Sequence, residues 1–110
     1  MSRWLTICLL LSGCAEQNSG PAPIAGQMRY VADAALFAPC GGGAPVPIAM
    51  EGAYLALEQA YLATVHSPAE PIHIEVSGRY EARPPMEGPV WEHLIVKRVL
   101  SVERGGACRR

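Results

Sequence analysis

Cysteine, histidine and methionine side chains carry most of the ligand and redox chemistry available to this chain, and their spacing limits what they can do. Cys8, Cys14, Cys40 and Cys108 stand singly, and the absence of a C-x-x-C pair gives no support to a thioredoxin-like dithiol or a metal clip. His66, His73 and His93 share no metal-ligand spacing. His73-x-Glu75 would place two donors on one face of a strand, and a neighbouring strand could bring His93 beside them. Joined by Met28, Met50 or Met86, that set suits copper by donor type. The plainer expectation is no metal, with solvent-facing histidines and core methionines, because a site needs convergent ligands. Asp33 lies between alanines; if buried, it calls for a partner such as an arginine, since an unpaired buried carboxylate is costly. Structural use is expected of it rather than catalysis.

No Ser-His-Asp, G-x-S-x-G or H-E-x-x-H arrangement is present. Glu81, Glu87 and Glu92 are scattered without a paired-carboxylate spacing. The run Pro39-Cys40-Gly41-Gly42-Gly43 lacks the Lys-Ser/Thr and the βα unit of a phosphate loop and reads as a turn. A non-enzymatic protein is expected. The chain has 110 residues and a formal net charge of −1, with half of its residues hydrophobic and 17% charged. That composition argues against a disordered charged tail, and that charge provides no basic face for nucleic acid. Eleven glycines and ten prolines favour turn-rich β structure over a helical bundle.

The amino terminus reads as a targeting segment. Arg3 supplies a positive start, Trp4 to Leu11 is an uncharged apolar run, and Ser12-Gly13 end it well short of a membrane span. Leu11-Ser12-Gly13-Cys14 resembles the lipobox of bacterial lipoproteins. The resemblance implies cleavage after residue 13 and covalent lipid on Cys14 as the only attached group. Several acyl chains hold a protein firmly at a membrane where a single one does not. Ala15 stands where an inner-membrane retention signal would place Asp, so the resemblance implies the periplasmic face of the outer membrane. Residues 14–27 are small, polar and Pro/Gly-rich, and are expected to be a flexible tether. Residues 28–110 are then the folded domain. Loss of Arg3 makes the mature chain mildly acidic.

With Cys8 cut away and Cys14 lipidated, Cys40 and Cys108 remain as an even pair in an oxidising compartment. They are 68 residues apart, and closing such a loop is worth about 4 kcal/mol in the chain-entropy model. Their flanks, Gly41-Gly42-Gly43 and Arg109-Arg110, suit either a structural staple or a labile, redox-responsive bond.

These groups must be held by a small scaffold. Residues 27–31 alternate well enough for a first strand, and 32–37 continue less strongly because alanine has weak strand propensity. Val46-Pro47-Ile48-Ala49 reads as a short edge strand. Residues 52–65 predict a helix, with Tyr54, Leu57, Tyr61 and Val65 on one stripe and Leu55 and Leu62 widening it. The two tyrosines are expected to be core. Ile72, Ile74 and Val76 should face inward while His73 and Glu75 face out, with Gly78 permitting a bulge and residues 79–82 extending the strand. Residues 83–89 read as a loop, and 94–100 as a final strand entered from Trp91. The result is a mainly β domain: a small, five-stranded, OB-fold-like barrel with one helix between the third and fourth strands.

Tyr30 to Cys40 (YVADAALFAPC), Pro45 to Glu58 (PVPIAMEGAYLALE), Ala60-Tyr61-Leu62, Gly78 after a strand, Arg83 to Gly88 (RPPMEG), an apolar last strand and a terminal cysteine together resemble the C-terminal OB domain of NlpE-type lipoproteins. The resemblance covers about residues 27–108. It implies an envelope lipoprotein; two-domain members take part in surface sensing, copper-related and envelope-stress signalling. It also implies a Cys40–Cys108 disulfide, because the carboxyl-domain cysteines of those members pair. Their amino-terminal domain carries a C-x-x-C motif that has no counterpart here, so this chain is expected to be a free-standing version of one domain. The expected partners are the membrane, through the lipid, and an envelope protein or glycan, but no nucleic acid. A non-enzymatic interaction module contributing to envelope sensing is the first expectation. A copper or redox sensor using a labile Cys40–Cys108 bond or a His/Met site is the alternative.

Overall fold

The computed structural model describes residues 22–67, 70–84, 90–105 and 108. Five strands and one helix follow in the order β1 (Ile24–Val31), β2 (Ala34–Pro39), β3 (Val46–Pro47), α1 (Tyr54–Thr64), β4 (Ile72–Arg83) and β5 (Trp91–Arg104). The strands form one antiparallel sheet in the order β3-β2-β1-β4-β5.

Period-two burial makes the core. Met28 of β1, Phe37 of β2, and Ile72, Ile74 and Val76 of β4 are fully buried on one face, together with Leu94 and Val96 of β5. Tyr54, Leu57 and Tyr61 bury the inward stripe of α1 against them. Leu55 and Leu62, expected to widen that stripe, are exposed. Only one layer of structure packs on α1, and it covers a narrow stripe. The helix also begins two residues later than residues 52–65 suggested, because Gly52 takes a left-handed φ of +61 and Ala53 donates its N–H to the carbonyl of Val96 at 2.8 Å. A side chain on Gly52 would lie 2.4 Å from that carbonyl oxygen. Backbone hydrogen bonding to β5, not helix propensity, sets the start.

The sheet is not a closed barrel, which corrects the expectation. After β3, a single parallel bridge, Ile48 to Leu94, brings the chain against β5, with Ala49 N–H donating to the Leu94 carbonyl at 2.9 Å. Pro47 has no N–H to give and β3 is two residues long, so no continuous ladder to β5 can form.

Several strand limits differ from those read in the sequence: β2 starts at Ala34 and β3 ends at Pro47, not Ala49. β1 begins at Ile24, so residues 24–27 are strand, not tether. β4 runs through Arg83 and β5 from Trp91 to Arg104, making one long hairpin. Its register shifts twice, leaving Leu100 and Lys97 of β5 without partners in β4. Such bulges bend a strand and increase its twist. Between them and the hairpin end, Gly78 approaches β5 so closely that a Cβ would lie 2.1 Å from the Ile95 carbonyl oxygen.

Candidate functional site

Two places on this scaffold bring polar chemistry together. The first is a cleft where the β1–β2 turn meets the start of α1. Ala32 and Asp33, at φ 50 and 72, make the two-residue turn between Val31 and Ala34, a geometry matching the right-handed twist of a hairpin. Asp33 is therefore exposed at the turn and not a buried carboxylate. Behind it, the phenol oxygens of Tyr30 and Tyr54 are 2.7 Å apart, and Tyr30 donates to Glu58 Oε2 at 3.1 Å. Tyr30 has one proton, so Tyr54 donates to Tyr30. Burial, with the Tyr54 and Glu58 oxygens close by, pushes the Tyr30 phenol far above its ordinary range and keeps it a donor. Its ring meets Tyr61 edge-on at 5.2 Å between centroids, and Tyr61 donates to the Glu70 carbonyl at 2.8 Å.

This cleft encloses about 480 Å³ and is lined by Tyr30, Asp33, Met50, Gly52, Leu55 and Glu58 among others. Met50 is 76% exposed and Leu55 68%, so its apolar wall faces solvent. Arg83 braces the segment leading into α1 by a two-pronged contact to Glu51, at 2.8 and 3.0 Å, and reaches Glu81 at 2.7 Å. Those contacts hold the Glu51 carboxyl below the ordinary carboxylate value, with the Arg83 hydrogen bond as the main cause. Glu81 is lowered likewise, first by Arg79 and then by Arg83.

The second place is the Cys40–Cys108 disulfide, formed with its Cα atoms 5.4 Å apart. Cys40 follows β2 and Cys108 follows β5, and β1 and β4 lie between those strands. The bond therefore ties Cys108 to the β2 side of the sheet. A ring nitrogen of His73 lies within 4.8 Å of both sulfurs. His73 Nδ1 is buried and finds no hydrogen-bond partner among the described residues.

The other residues singled out from sequence are dispersed. His73 sits opposite Glu103 and Glu75 opposite Ser101, whereas His93 sits opposite Glu81 near the far end of the β4–β5 hairpin. His93 is buried, with Nδ1 2.9 Å from the Trp91 carbonyl oxygen, so the trio His73, Glu75 and His93 does not converge. His66 is exposed. Met28 is core and Met50 is on the surface. Glu92 is exposed. Cys8, Cys14, Met86 and Glu87 lie outside the described residues. The Tyr30–Tyr54–Glu58 cluster and the His73–disulfide contact escaped the sequence reading. The i, i+4 placement of Tyr54 and Glu58 on one helix face was the signal available for the first.

Among the described residues, five antiparallel strands, a bulged β4–β5 hairpin and one helix packed on the core face make a small, mainly β domain. The chain belongs to the NlpE C-terminal OB domain family, whose model matches residues 18–109. Comparison with curated proteins and with solved structures gave no match. Family membership associates the domain with the bacterial envelope. Among the described residues no helix is long and apolar enough to cross a membrane.

Proposed function

We propose that this protein is a lipoprotein anchored through Cys14 to the periplasmic face of the outer membrane, and that its OB domain is a non-enzymatic interaction module contributing to envelope sensing. Membership of the NlpE C-terminal family and the Leu11-Ser12-Gly13-Cys14 sequence support the anchored, envelope part of this reading. The observation that carries the interaction part is the cleft beside α1. Met50 and Leu55 are large apolar side chains facing solvent, and Asp33 and Glu58 flank them. The cleft fits an envelope protein that inserts an apolar side chain between basic neighbours, the usual arrangement of an apolar centre and a charged rim.

Photo-crosslinking in intact cells tests this. A crosslinking residue at Leu55 or Met50 is expected to capture one discrete partner, while one at Leu100, exposed on β5, captures none. Equal capture from Leu55 and Leu100, or none from either, would contradict the reading. A second reading, a redox sensor built on the Cys40–Cys108 bond, is favoured by one observation, the His73 imidazole beside the sulfurs.

A further inference from the structure

The outward face of the sheet carries an arrangement that the docking reading does not use. Ile72 and Ile74 face the core, so His73 between them faces out, opposite Gln27 of β1 and Glu103 of β5. Cys40 continues the same outward face, where its N–H donates to the Ala25 carbonyl at 2.9 Å. The disulfide brings Cys108 over this spot, and one ring nitrogen and two sulfurs then lie within 4.8 Å of one another. An imidazole with a buried, unpartnered Nδ1 is a poor arrangement for stability alone.

We propose that, once the Cys40–Cys108 bond is reduced, Cys40, Cys108 and His73 form a binding site for Zn(II) with two sulfur ligands and one nitrogen. The step balances as follows. A dithiol reductant delivers two electrons and two protons, the Sγ–Sγ bond breaks to give two thiols, and the reductant becomes a disulfide. Zn(II) then displaces the two thiol protons and is held by two thiolates and a neutral imidazole, leaving a fourth position open to water. Zn–S and Zn–N bond lengths with tetrahedral angles require S···S of about 3.8 Å and S···N of about 3.6 Å. The sulfurs therefore separate from their bond and the imidazole, already within 4.8 Å of both, closes by at most about 1.2 Å, a side-chain adjustment.

The site is separate from the cleft beside α1 and does not depend on the docking reading.

The test uses the full chain with Cys8→Ser and Cys14→Ser, so that Cys40 and Cys108 are the only thiols. After reduction by a phosphine and its removal under argon, Zn(II) is titrated against a chromophoric chelator, and Co(II) serves as the spectroscopic stand-in. One equivalent should bind, with sulfur-to-Co(II) charge-transfer bands and tetrahedral ligand-field bands. His73→Ala should weaken binding by at least about 100-fold, the upper range for losing even an outer partner of a ligand. The oxidised chain should bind none. Should reduction loosen the fold, Zn(II) must restore the near-ultraviolet tyrosine signal of the reduced parent chain but not of His73→Gln. Affinity unchanged by His73→Ala, or no restoration of a loosened fold, would overturn the proposal.

Discussion

Tyr30 illustrates how a single side chain can belong to both core and site. Its ring packs on Tyr61 while its hydroxyl, bonded to Tyr54 and Glu58, forms the floor of the cleft. Its folded-state acidity is weakened, first by burial and then by those partners. A phenol raised above its ordinary value of 10.0 contributes stability that is fully present below that value and is lost as pH rises past it, because the unfolded chain ionises first. Tyr30→Phe is therefore expected to cost about 1 kcal/mol at neutral pH, the usual worth of a hydrogen bond. It should also flatten the alkaline fall in stability. Urea unfolding at a series of pH values checks both; a parallel alkaline decline in the two proteins would refute the account. At this scale the sequence was only partly legible. The tyrosines were rightly placed in the helix stripe, but Tyr30 and Glu58 are 28 residues apart, and local patterning carries no information about such a contact. The turn at Ala32-Asp33 went unseen for the opposite reason. Ala-Asp is not an Asn-Gly turn signal, yet Asp tolerates positive φ and the hairpin twist demands it.

Among the elements, β4 was plainest, because Ile72, Ile74 and Val76 alternate with His73, Glu75 and Ser77 and burial follows that alternation. β1 was obscured at its start. Ile24-Ala25-Gly26 resembles the preceding linker in composition, and only the folded sheet shows that Gly26 lies too close to the Ala38 carbonyl and the Phe37 ring for any side chain. The helix was recognised by its period, but which leucines it buries depended on the partner layer. Barrel closure failed at β3, where Pro47 and the shortness of the strand leave one bridge in place of a ladder. The β4–β5 hairpin depends on Gly78 for its close approach to the Ile95 carbonyl. Gly78→Ala forces the two strands apart just beyond the second bulge, and is expected to cost about 2–4 kcal/mol, within the range of disruptive core changes. For a domain of this size each kcal/mol lowers the melting temperature by about 4–8 °C. Thermal unfolding by circular dichroism reads this directly, and a fall of under 4 °C would show that the strands yield more easily than argued.

On the scale of the whole molecule, a short chain folds with little core to spare, and the Cys40–Cys108 bond compensates by closing 68 residues of sequence, worth about 4 kcal/mol in the chain-entropy model. The bond also places Cys108 beside the face that carries His73. The pairing was legible from counting cysteines. The histidine beside it was not, since its position follows from strand register and from a cross-link closing over the sheet. What is proposed about partners and sensing presupposes the envelope location, and the proposed anchoring there rests on the lipid on Cys14. Mass spectrometry of the protein purified from membranes, read at its amino terminus, tests this most directly. The expected mature chain begins at Cys14, carries acyl chains there, and leaves the membrane fraction when Cys14→Ser is introduced. A mature chain with an unmodified Cys14, or one equally membrane-bound after Cys14→Ser, would contradict the account.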